Sequence, residues 1–134
     1  MKNESIDIKY EPVGFSERLF AYNIDITILI LLFLFFSFMI DSNTILYGIC
    51  ISTITLYYTF FESSKWQGTP GKTYHKLKVI NINGTRISIF KAFLRVLLKY
   101  ISVLLLLIGI FMIYFRKDRK SLHDVILKTQ VVKQ

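Results

Sequence analysis

Apolar residues crowd two long stretches of the chain and thin out abruptly between and after them. Residues 19–40 are broken only by Asn23, Asp25, Thr27 and Ser37, and at about 1.5 Å per residue a run of that length crosses the roughly 30 Å hydrocarbon core of a bilayer. Asp41-Ser42-Asn43 is a short polar turn, after which residues 44–61 form a second apolar run ending at Glu62. Two antiparallel transmembrane helices are the expectation. Gly48, Ser52, Thr55, Thr59 and Ser63 fall on one face of the second, and small residues on one face suit close helix contact in lipid.

Beyond Glu62 the pattern changes period. Residues 63–72 are polar, residues 76–82 and 85–89 are β-rich, and Asn83-Gly84 between them is the favoured pair for a two-residue turn. This predicts a small cytoplasmic β-hairpin. Lys91, Arg95 and Lys99 then recur every four residues with Phe93, Leu94, Leu97, Leu98 and Ile101 round the rest of the wheel, so residues 88–99 read as an amphipathic interfacial helix. Residues 100–115 are apolar and contain Gly109. The fold class is thus an all-α membrane protein: two transmembrane helices, an interfacial helix, a third hydrophobic segment that is re-entrant or spanning, and the hairpin. The 134 residues form a single domain.

Composition supports this reading and removes others. Hydrophobic residues make up 53% of the chain and charged ones 19%, too greasy for an ordinary soluble domain. The 17 basic residues are clustered: three up to Arg18, eight from Lys65 to Lys99 and six from Arg116 onward. Between them lie long apolar gaps, which argues against nucleic-acid binding. The turn at 41–43 has no Lys or Arg, so the positive-inside rule puts the turn outside and the N-terminus in the cytoplasm. A re-entrant third segment leaves all basic residues on one side, where they meet anionic headgroups, whereas a spanning one puts the run after Phe115 outside. Residues 1–18 mix three basic with four acidic side chains and do not resemble a signal peptide. Cys50 is alone and reads as a small buried hydrophobe.

Candidate chemistry is sparse. Gly71-Lys72-Thr73 hints at a phosphate loop, but Trp66 stands where that motif needs glycine. His75 and His123 have no metal-binding spacing, and no nucleophile has a matching base. Neither a cofactor nor an enzyme activity is expected.

In order along the chain come Gly14-Phe15, Arg18, Ala21 and Asp25, then Gly68-Thr69-Pro70-Gly71-Lys72 and Lys76-Leu77-Lys78-Val79, then Arg95, His123-Asp124, Thr129 and Val131-Val132. Taken together, over residues 14–132, these resemble the RDD-domain family of small prokaryotic membrane proteins. The family is named for two aspartates and one arginine, which by position are Arg18, Asp25 and Asp124 here. The resemblance implies a multi-pass inner-membrane protein; some members are proposed to exchange sodium or other cations for protons. Leu127-Lys128 departs from the family's pattern, which has small residues before the late threonine.

Asp25 lies about 9 Å inside the apolar boundary, too deep for a short side chain to snorkel. An unpaired carboxylate there costs up to about 3 kcal/mol, so it needs a partner or a proton. Three readings stand open: a satisfied carboxylate that fixes packing, a proton or cation site, and a shallow hydrated residue. Thr55, Thr59 and Arg95 are its candidate partners, because Arg18, although on the same face, leans the other way. Arg18 reads as a headgroup anchor. Asp124 reads as a helix-start residue capped by Ser121, or as a partner of Arg18 or Arg95, with His123 beside it. A cation or proton pathway built from so few helices needs a homo-oligomer or another membrane protein; a non-transporting subunit that docks a partner is the alternative.

Overall fold

The computed structural model describes residues 11, 13–104, 115, 117 and 120–133. Helix α1 spans Phe15–Met39, α2 Asn43–Ser63, α3 Pro70–Tyr74, strand β1 Leu77–Asn81, α4 Ile89–Leu104, α5 Leu122–Ile126 and β2 Thr129–Lys133.

The two long helices follow from the two apolar runs. They lie side by side in opposite directions, as the pairing of Tyr22 with Tyr58 and of Asp25 with Tyr57 requires. Their outer halves bury little: Leu31, Phe35, Phe38 and Met39 of α1 and Ile45, Tyr47 and Ile51 of α2 are all more than half exposed. A soluble protein rarely leaves so large an apolar surface open, whereas lipid solvates it. The small-residue stripe of α2 behaves unevenly. Thr59 and Ser63 are buried, while a side chain added at Gly48 would meet nothing within 4 Å.

The close packing is gathered at the other end of the helix pair, in a cap built from the start of α1, the end of α2 and everything after it. Its apolar centre is Val13, Ala21, Leu77, Val79, Ile87, Ala92 and Val131. Here the structure corrects the expected hairpin. The Asn83-Gly84 turn exists, with the Asn81 N–H donating to the Thr85 carbonyl and only Ile80 bridging Arg86 beyond it. Gly84 takes φ 78° and Asn83 is not left-handed, so the connection is three residues long and closes a weak ribbon. The real partner of β1 is β2, antiparallel in the register Leu77↔Lys133, Val79↔Val131 and Asn81↔Thr129. Residues 76–82 are too buried for a two-stranded ribbon alone, and the C-terminal strand supplies the missing ladder. On its far edge, β2 also accepts from the Val13 N–H at 3.4 Å and donates to the Glu11 carbonyl.

Helix α4 begins close to the expected residue and runs on to Leu104, with its basic and apolar faces on opposite sides. Its basic stripe faces the protein, with Arg95 fully buried, while Ile89, Phe90, Phe93, Leu97 and Ile101 remain exposed. Whether residues 100–115 span or re-enter falls mostly outside the described residues.

Candidate functional site

Asp25 sits in α1 where the cap meets the helix pair and has no exposed surface. The Thr69 hydroxyl donates to its Oδ2 at 2.5 Å, and the Gly71 N–H and Tyr57 hydroxyl both donate to Oδ1 at 2.9 Å. Thr69 is the N-cap of α3, and Pro70 at the first helical position needs no N–H partner. The carboxylate therefore caps α3 from outside. Gly71 is indispensable to this approach: a Cβ there would lie 2.1 Å from the Ala21 carbonyl oxygen and 2.9 Å from Asp25 Oδ1.

Seven residues earlier on α1, Arg18 is 4% exposed and donates to Asp124 Oδ2 at 2.6 Å. Arg95 donates to Asp124 Oδ1 at 2.5 Å and to the Thr129 hydroxyl. Ser121 caps α5, its hydroxyl donating to Asp124 Oδ2 at 2.9 Å. Arg95 also reaches Glu62 at 3.0 Å, and Glu62 binds Lys72 at 2.5 Å and Lys99 at 2.9 Å. One connected network thus holds Arg18, Asp124, Arg95, Glu62, Lys72 and Lys99. Lys99 adds a cation–π contact, its Nζ lying 4.5 Å from the Tyr58 ring centre. Such charges are tolerable in a low-dielectric interior only because each is paired. Among the described buried atoms, Arg95 Nη2 and Thr59 Oγ1 have no hydrogen-bond partner.

Electrostatics on the cap side follow from these contacts. Burial would push the Asp124 carboxyl up, but its surroundings, Arg95 above all and Arg18 among the rest, overcome it and hold the group well below the usual carboxylate range. Burial likewise drives His123 well below its ordinary value, so its ring is neutral, with Ser121 Oγ 2.9 Å from Nε2. Lys72 is lowered by burial, against the pull of Glu62.

The structure redistributes the partners read from the sequence. Arg95 does not touch Asp25; it joins Asp124 to Glu62. Thr55 bonds the Ile51 carbonyl and the Tyr100 hydroxyl, and Thr59 makes no bond to the carboxylate. Arg18 is a buried partner of Asp124, not an exposed headgroup anchor. Glu62, Lys72 and Lys99 were missed as site residues. Glu62 looked like the mere end of an apolar run and Lys72 like part of a failed phosphate loop; the overlooked signal was an acid and a base ten residues apart on either side of a helix end. Among the described residues no group of three metal-binding side chains occurs.

Two exposed apolar helices closed at one end by a charged cap define a protein of the membrane class. The chain belongs to the RDD family, whose profile matches residues 12–128. It is similar to two uncharacterized proteins of Bacillus subtilis strain 168. YxaI is 43% identical over 89 residues, 66% of this chain and only 57% of that protein's length; YckC is 27% identical over 128 residues, 91% of this chain and 85% of its own. No solved structure matches.

Proposed function

We propose that this chain is a non-transporting, multi-pass membrane subunit that docks a partner through its cap, with Asp25 serving to hold that cap together. The observation that carries this is the state of the buried carboxylates. Asp25 has three neutral donors, Glu62 has three cations, and Asp124 has two arginines and Ser121. A transported cation would need oxygen ligands, and these oxygens are already committed. Among the described residues the connected network also carries four basic groups against two acidic ones, which repels a passing cation. Exposed Trp66, Tyr74, Ile82 and Phe90 at the cap suit either the membrane interface or a membrane-protein partner. The clustering of Lys and Arg favours a cap on the cytoplasmic side of a prokaryotic inner membrane.

The test is flux. In liposomes under a pH gradient, addition of sodium or potassium is expected to move no protons, in wild type and in Asp25→Asn alike. Cation-dependent proton movement that disappears in Asp25→Asn overturns the reading. Cross-linking in native membranes is expected to trap a second membrane protein in fixed stoichiometry; a product containing only this chain contradicts the docking role.

A further inference from the structure

A cavity of about 330 Å³ opens between α1, α2 and α4 just outside the charge network. Its walls include Leu19, Ile26, Ile54, Val96 and Val103, and its cap end presents Arg18, Lys99 and the neutral His123. No Asp or Glu lines it among the described residues. Its volume lies within the range of small-molecule sites, about 300–1,000 Å³, and an apolar chamber with a few polar groups at one end is how such sites are built.

The two ends call for opposite chemistry in one ligand. The apolar end takes hydrocarbon. The cap end is cationic: Lys99 has three donors, the hydrogen-bond acceptor recorded for it is Glu62, and its side chain keeps 15% exposure. Among the described residues the buried charges behind it balance, Arg18, Lys72 and Arg95 against Asp25, Glu62 and Asp124, so the part-exposed Lys99 is the positive charge in excess. We infer that this cavity binds an anionic phospholipid of the surrounding bilayer, its headgroup against Lys99 and its acyl chain between α1 and α4. The site does not rest on the docking role proposed above and would exist in a transporter as well.

Native mass spectrometry of the full chain in a neutral detergent tests it, with phosphatidylglycerol, phosphatidylcholine of the same acyl length, and inorganic phosphate offered separately. One phosphatidylglycerol per chain is expected to survive activation that strips phosphatidylcholine, and phosphate alone is expected to leave no adduct. Lys99→Gln is expected to weaken phosphatidylglycerol retention about fivefold, the worth of one basic group near an anionic lipid. Ile54→Trp fills the cavity without touching an ion pair and is expected to abolish retention while circular dichroism shows intact helices. Equal retention of the two lipids, or unchanged retention in Ile54→Trp, overturns the inference. Retention of phosphate without lipid overturns it too, by assigning the charge to a soluble anion.

Discussion

The cap contains the same small unit twice, and the copies differ in the sign of one charge. In the first, Thr69 caps α3, Lys76 turns left-handed and β1 follows; in the second, Ser121 caps α5, Lys128 turns left-handed and β2 follows. Every one of these positions is matched at an offset of 52 residues. The strand register obeys the same symmetry: Leu77↔Lys133 exchanges with Asn81↔Thr129, and Val79↔Val131 lies on the axis. At the third helical position, however, α3 has Lys72 and α5 has Asp124.

That one difference accounts for most of the buried charge. A helix start favours an anion. Helix α5 carries its own in Asp124, which then needs cations from elsewhere, and receives Arg18 and Arg95. Helix α3 carries a lysine instead, so its anion is imported as Asp25 and the lysine is neutralised by Glu62. Helix α1 serves both units, Arg18 reaching α5 and Asp25 reaching α3 two turns further on. The arginine and two aspartates of the family pattern therefore read, in this chain, as one helix clamping two related units of opposite polarity.

The largest break in the comparison should come at Arg95, which joins the Asp124 half of the network to the Glu62 half. Arg95→Met removes one cation from each of two buried carboxylates and uncouples the two halves; it is expected to cost up to about 3–5 kcal/mol, measured as lost thermal stability in detergent. Arg18→Met is expected to cost less, because Asp124 keeps Arg95. A milder effect confined to one unit is expected from Gly71→Ala. The added Cβ collides with the Ala21 carbonyl, and overpacking of this kind costs about 1–3 kcal/mol. Hydrogen exchange should then speed up across residues 70–76 and leave 122–128 protected, the strands being set aside because each is the other's ladder partner. Equal loss of protection in both would show that the two units do not fold independently.

A second difference between the units is pH-dependent. The second helical position is His123 in α5 and Gly71 in α3, so one copy titrates there and the other cannot. His123 is held neutral, its folded value depressed below about 6.5. On acidification the unfolded chain takes up this proton first, so stability falls as pH drops below about 6.5. Asp124 adds to the fall only in the carboxylate range and below, as pH descends towards its depressed folded value. His123→Asn is expected to flatten the unfolding midpoint between neutral and mildly acidic pH, and a curve as steep as wild type would remove His123 as the cause.

How far the sequence could foretell this depends on how local each cause is. The long helices were legible because length and hydropathy determine them, and the Asn83-Gly84 turn because it is set by adjacent residues. Strand β1 was placed correctly and paired wrongly, since its partner lies some fifty residues away and nothing near residues 76–82 names it. The facing of α4 was only half legible, for a related reason. Periodicity shows that Lys91, Arg95 and Lys99 share a face, but only the buried Glu62 and Asp124 decide that the face turns inward. Asp25 was recognised as needing partners, yet two of the three come from the Thr69–Gly71 loop, which by itself reads only as part of the polar stretch 63–72.

The smallest expected effect probes the symmetry itself. Lys76 and Lys128 have φ 56° and 51°, a left-handed conformation that costs a residue with a Cβ about 1 kcal/mol and glycine almost none. Against that gain, glycine gives the unfolded chain more freedom, so replacement should stabilise by about 0.5 kcal/mol at most. The turn at Lys128 keeps its carbonyl contact from the Ile82 N–H in either case, because the backbone makes it. Lys76→Gly and Lys128→Gly are thus each expected to raise the unfolding temperature slightly and by similar amounts, and to add when combined, since they lie in separate turns. A rise at one position and a fall at the other would mean that one lysine side chain makes a contribution its counterpart does not, and the equivalence of the two units would then hold for backbone alone.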